Sequence, residues 1–198
     1  MKVISKIFSF AATQRKSNDI DIHNTISLTD VVNALKTIEF PTTILREPKY
    51  AGETKEGKIQ KCIFKYLQSV YGNVNVKTEY SVGGYWGMRS DIDLFNGQVG
   101  IELKVAEQLL NATHVERLIG QVVYYTKRRY TTNNLIVLVV GREKEYGAPM
   151  KEIETIIESL GCTFLFKNIF LHLSNKSIII SKLFINKISR NWPMITNS

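Results

Sequence analysis

Hydrophobic and polar positions along this chain change period several times, and each change marks a predicted element. Between residues 55 and 70, Ile59, Ile63, Leu67 and Val70 recur at helical spacing, and Gly72 follows as a stop signal. Val74, Val76, Thr78, Tyr80 and Val82 then alternate as a strand, and Gly83-Gly84 turns the chain toward Arg89. Two more alternating arms flank Asn96-Gly97, with Ile92 and Leu94 on one side and Val99, Ile101, Leu103 and Val105 on the other. That pattern predicts a hairpin closed by a two-residue turn. Thr113-His114-Val115-Glu116 reads as a capping box, and Leu118, Val122 and Tyr125 continue a helix ending in Lys127, Arg128 and Arg129, where the helix dipole is negative. Residues 135–140 form a wholly apolar run of strand length. Pro149, a helix from about 150 to 160, Gly161 as its cap and a strand over 163–166 complete the pattern. The predicted order is α, β, β, β, α, β, α, β, an α/β class with a mixed sheet, antiparallel hairpins first and parallel strands after, flanked by helices.

The hairpin places chemistry on one face. With Asn96 and Gly97 as the loop, Phe95 pairs with Gln98, Leu94 with Val99 and Ile92 with Ile101, so Asp91 faces Glu102. Directly opposed side chains have Cβ atoms roughly 4.5–5.5 Å apart, and like charges there destabilise a sheet. A divalent cation with a preference for oxygen ligands, Mg²⁺ or Mn²⁺, would relieve that repulsion. Lys104 points to the same face, two residues beyond Glu102, and the same count sets it opposite Arg89, so basic groups suited to holding a phosphate adjoin the acids.

Asp91, ten intervening residues, then Glu102-Leu103-Lys104 resembles the active-site signature of the PD-(D/E)xK nuclease superfamily. Ser90 stands where the motif has proline, a position that does no chemistry. The tripeptide E-x-K also occurs at Glu47, Glu53 and Glu56, but only the copy at Glu102 lies in an alternating apolar strand. The resemblance implies a restriction-endonuclease-like core over residues 51–167 and a metal-dependent nuclease acting on nucleic acid, with DNA the expected substrate. By it, Asp91, Glu102 and the backbone carbonyl of Leu103 bind the metal, and Lys104 serves the attacking water. Two adjacent carboxylates would raise the pKa of Lys104, so water orientation and charge stabilisation suit it better than general-base chemistry. Many members complete the acidic cluster with a glutamate from the first core helix. Of Glu53 and Glu56, Glu56 is preferred because it lies three residues before Ile59, near the inward face. Gln121 and Tyr125 lie four apart on the next helix and resemble the Q-x-x-x-Y motif of the recombination-helicase and exonuclease branch, where the glutamine supports the active site and nearby DNA. Arg117 is one turn earlier. Asp93 shares the face of Asp91, opposite Gly100, as a second metal ligand or an outer group, and Tyr85 and Trp86 could stack on bases.

Charge sharpens the choice of partner. The 198 residues carry a formal charge of +8 with a sequence pI near 9.4. No acidic residue follows Glu158, whereas Lys167, Lys176, Lys182, Lys187 and Arg190 do, and Lys127, Arg128 and Arg129 form a second basic cluster. Phosphate backbone is the natural target. Cys62 and Cys162 are too few and too distant for a disulfide framework, and none of His23, His114 and His172 has a partner at metal-ligand spacing, which argues for a cytoplasmic protein without zinc. The longest apolar run is far short of the roughly 20 residues of a membrane span. The opening MKVISKIFSFAA imitates a signal peptide, but Lys6 interrupts its apolar stretch. Residues 1–50 read as an appendage with one helix over 27–40, started by Ser27-x-x-Asp30, and Pro41 and Pro48 bound a linker. This segment could cover the core, bind a partner protein or control a homodimer. Residues 168–198 read as a basic C-terminal extension of the core. The rival functions are a non-catalytic nucleic-acid-binding subunit of the same fold and a regulatory interaction module.

Overall fold

The structure, a computed structural model, describes residues 25–41, 43–46, 52–83, 88–131 and 133–169. Each helix begins where its sequence supplies a cap. Ser27 accepts from the Asp30 amide and opens α1 (Leu28–Thr37), and Thr54 accepts from the Gly57 amide and opens α2 (Lys55–Tyr71). Gly72 ends α2 at φ +86°, a conformation that glycine adopts without steric cost, and its amide returns to Gln68. Helix α3 (Ala112–Arg128) starts one turn's edge earlier than the predicted capping box. Asn111 is its cap and accepts from Thr113, so Thr113 and Glu116 lie within the helix. In α4 (Ala148–Ser159), Pro149 occupies the first turn, where its missing N–H costs nothing.

Five strands form one sheet in the order β1-β2-β3-β4-β5, with β1 (Val76–Ser81), β2 (Arg89–Leu94) and β3 (Val99–Val105) antiparallel. Strands β4 (Leu135–Gly141) and β5 (Thr163–Asn168) continue it in parallel. The element order from α2 onward is the predicted one, and the sheet is mixed as expected. Strand β1 starts later than the alternation suggested. Residues 73–75 form a 3₁₀ turn instead, and Val74 is 83% exposed.

The sheet is covered on both faces. Val31 and Leu35 of α1 and Ile59, Ile63 and Leu67 of α2 pack with Ile92, Leu94, Ile101 and Leu103 on one side. Leu118, Val122 and Tyr125 of α3 and Met150, Ile153 and Ile157 of α4 pack with Val137, Val139 and Phe164 on the other. Two successive crossovers moving the same way across a parallel sheet place both helices on one face, which accounts for the pairing of α3 with α4. Strand β4 is buried on both faces, the reason its sequence is apolar without alternation. Each fully buried Leu or Ile adds roughly 1.5–3 kcal/mol. Among the described residues, no helix is long and apolar enough to cross a membrane.

The hairpin keeps the predicted register but not the predicted turn. Ile92 pairs with Ile101, Asp93 with Gly100 and Leu94 with Val99, and the ladder closes there. Phe95 to Gln98 make a four-residue loop in place of a two-residue turn, with Phe95, Asn96 and Gly97 all at positive φ. Phe95 is drawn away from Gln98 because its amide donates to the Asn75 carbonyl and its ring packs edge-on against Tyr71.

Candidate active site

The cleft of interest lies where β1, β2 and β3 meet the start of α2 and one side of α3. It encloses about 980 Å³ and is lined by Glu56, Glu79, Arg89, Asp91, Glu102, Lys104, Arg117 and Gln121, with Thr54, Met88, Gln108, His114, Gly120, Tyr124 and Tyr125 completing its walls.

Asp91 and Glu102 come together here, though not as the ladder pair that counting suggested. Pairing between β2 and β3 ends at Ile92, because the Asp91 carboxylate itself accepts the Leu103 amide at 2.7 Å, a donor that a continued ladder would have used. The hairpin opens at the point where the two acids meet. Arg89 correspondingly pairs with Ser81 of β1, not with Lys104. Glu102 is 1% exposed; its Oε1 accepts Lys104 Nζ at 2.7 Å, and its Oε2 is buried with no hydrogen-bond partner among the described residues. Lys104 Nζ also donates to the Leu103 carbonyl at 2.8 Å and lies 3.7 Å from Glu56 Oε1. One ammonium thus touches Glu102, Leu103 and Glu56. Glu53 instead faces Lys61, which leaves Glu56 as the helix glutamate at the site.

Burial controls the protonation of this cluster. The Asp91 carboxyl is pushed up to about 6, chiefly by desolvation, with Lys104 and the Leu103 amide pulling the other way. Glu102 is pushed up to about 8 by desolvation and by Asp91 beside it, against the pull of Lys104. Desolvation alone would lower the Lys104 ammonium, but Glu102, Glu56 and Asp91 outweigh it and hold it above the ordinary lysine value. Lys104 is therefore a fixed positive charge, not a proton acceptor near neutral pH.

The oxygen chemistry fits a hard divalent cation: two carboxylates, a backbone carbonyl and one carboxylate oxygen left buried without a donor. Asp91, Glu102 and the Leu103 carbonyl would hold it, with Glu56 at the edge. Among the described residues, however, no three His, Cys, Asp or Glu side chains are gathered closely enough to cage an ion by themselves.

The remaining residues separate into those at the cleft and those elsewhere. Gln121 is at the cleft, with its Oε1 buried and unpartnered and its amide making a long contact of 3.4 Å with Tyr125. Arg89 and Arg117 line the cleft and are exposed. Tyr125 is fully buried and donates its hydroxyl to the Arg89 carbonyl at 2.7 Å, so it braces β2 and is not placed as a nucleic-acid contact. Asp93 is not a ligand candidate in this arrangement. It is fully buried away from the cleft, where its Oδ2 accepts Arg129 Nε at 2.8 Å and the Tyr130 hydroxyl at 2.9 Å. Arg129 is consumed by the same network and by stacking on Tyr80 at 4.0 Å, while Lys127 and Arg128 are exposed at the end of α3. Tyr85, Trp86 and the C-terminal residues from 170 onward lie outside the described residues.

Two polar residues that bear on Asp91, Gln60 behind the cleft wall and Glu79 in it, escaped the sequence reading. Gln60 follows Glu56 by four positions on α2, a spacing that puts them on one helical face and could have revealed it. Glu79 falls opposite Asp91 when the β1 register is counted from Thr78↔Ile92, but nothing in the alternation signals its left-handed backbone, φ +51°. No protein-family model, curated protein or solved structure matches the chain.

Proposed function

We propose that this protein is a metal-dependent nuclease of the PD-(D/E)xK type with a restriction-endonuclease-like core, hydrolysing phosphodiester bonds in nucleic acid, DNA in the first instance. The reading rests on one observation above the others: Asp91, Glu102 and Lys104, recognisable as a motif in sequence, meet in one large cleft beside Glu56. The mixed sheet with antiparallel strands first and parallel strands after supports it. A bound Mg²⁺ or Mn²⁺ supplies water of lowered pKa and neutralises charge on the phosphate oxygens. Asp91, Glu102 and the Leu103 carbonyl are the groups suited to hold it. Lys104, kept protonated by its acidic neighbours, orients the attacking water and stabilises the negative charge that develops as the phosphorus–oxygen bond forms. Arg89 and Arg117, exposed at the cleft, are positioned for flanking phosphates. Gln121 presents its amide to the same space.

A second reading, a nucleic-acid-binding protein without catalysis, draws on the Lys104 contacts. The ammonium already satisfies Glu102 Oε1 and the Leu103 carbonyl, so the cluster is partly compensated by the protein's own cation. Cleavage decides between them. The wild type and the Glu102→Ala and Lys104→Ala variants are incubated with linear and circular DNA and with RNA, in Mg²⁺, Mn²⁺ or EDTA. The nuclease reading expects metal-dependent cleavage by the wild type that both variants lose. Nucleic acid bound but left intact under every condition favours the second reading.

A further inference from the structure

The ladder passes over Asp91 on both sides. Strand β2 pairs with β1 at Ser90 and at Ile92 but not at Asp91, and it pairs with β3 only from Ile92 onward. Asp91 itself is thus not a paired position in either ladder, although its neighbours Ser90 and Ile92 are. Its carbonyl accepts from Gln60 Nε2 at 3.0 Å, and the same nitrogen donates to Glu79 Oε1, also at 3.0 Å. Both partners are acceptors only, so the two hydrogens of the Gln60 amide have one consistent assignment. Glu79 reaches this position from a left-handed conformation that a residue with a side chain rarely adopts, and such residues concentrate where function demands a particular geometry. Gln60 and Glu56 lie four apart on one face of α2, so a single helix addresses Asp91 through Gln60 and Lys104 through Glu56.

We infer that Gln60 is a positioning residue for Asp91, with Glu79 as its anchor, and that this clamp sets how tightly the cleft holds a divalent cation. The inference rests on the metal-site reading given above. Between its two paired neighbours, Asp91 is held further by the carbonyl bond to Gln60 at one end and the carboxylate bond to the Leu103 amide at the other, and these two bonds refine the direction of its side chain. Removing a group that orients a metal ligand typically weakens metal affinity about 10–100-fold, and Gln60 acts on Asp91 through its backbone carbonyl.

Mn²⁺ binding to the full chain, followed by electron paramagnetic resonance, tests the clamp without relying on turnover. The wild type is compared with Gln60→Met, Gln60→Asn, Glu79→Ala and Glu79→Gln, with Glu102→Ala as the reference for loss of the site and melting in EDTA as the check on folding. Gln60→Met and Gln60→Asn, the latter one methylene too short to reach, are expected to weaken Mn²⁺ binding at least about tenfold. Glu79→Ala behaves likewise, whereas Glu79→Gln, which keeps an acceptor for Gln60, retains most of the affinity. If Gln60→Met does not fold, the Asn variant decides. Binding that depends on Glu102 yet is unchanged in the folded Gln60 variants overturns the clamp and leaves the metal site standing. Equal losses in Glu79→Gln and Glu79→Ala overturn the anchor role and assign Glu79 a purely electrostatic one. Absence of Glu102-dependent binding in the wild type overturns the metal-site reading and the clamp with it.

Discussion

Glu102 is the most deeply buried acid of the cleft: one oxygen rests on Lys104, the other on nothing among the described residues, and Asp91 is its neighbour. Its folded-state value near 8 lies above the ordinary 4.5, and that of Asp91, near 6, above 3.8. The folded chain therefore retains protons that the unfolded chain releases, and stability from these groups is full below their ordinary values, declines as pH rises, and is gone above about pH 8. In chelator, Glu102→Gln should flatten this decline between pH 5 and 8 when wild type and variant are melted side by side; parallel curves would contradict the assignment. Arg129 makes the opposite case. Its loss leaves Asp93, fully buried and with Oδ1 already unpartnered, holding an uncompensated charge. Arg129→Ala is expected to cost about 3 kcal/mol in denaturant unfolding, the scale for breaking a buried pair.

At the scale of elements, the hairpin is built against the end of α3. Gly100 lies opposite Asp93 in the ladder, and a Cβ there would stand 2.4 Å from the Tyr130 ring, whose hydroxyl also meets Ser90. Gly100→Ala should therefore destabilise the protein by about 1–3 kcal/mol through overpacking, read from the shift in denaturant midpoint. The register of this hairpin was legible because alternation and Asn-Gly both point to it, and a four-residue loop preserves the same count as a two-residue turn with one closing pair. Helices α2 and α3 were legible from their apolar period. The turn itself was not, since it depends on Asn75 and Tyr71, distant in sequence. The grouping of Asp91, Glu102 and Lys104 could be read from the hairpin count, and Glu56 was brought in by the family resemblance, but the fates of Asp93, Tyr125 and Arg129 could not be read at all. Whether a charged or aromatic side chain at the right period faces a cleft or a buried partner is decided by tertiary contacts that no local pattern encodes.

For the whole molecule, the positive balance of charge makes salt the informative variable. If the cleft holds a nucleic-acid backbone, Arg117→Ala should lower the slope of log affinity against log salt by about 1. Arg129→Ala should leave that slope unchanged if it folds, because its guanidinium is already engaged by Asp93 and Tyr80. Fluorescence anisotropy over a salt series reads both. The arrangement of the sheet has a further consequence, for the route by which the chain folds. Spatial order and sequence order coincide from β1 to β5, so no strand must be inserted between two that have already joined. Each new strand adds to an open edge beside the one just made, so every strand pairing joins neighbours in sequence and the entropy of closure is kept low. A chain growing from its N-terminus can assemble Asp91, Glu102 and Lys104 on paired strands before β4 and β5 exist, and the parallel half then closes over a hairpin whose register is already set.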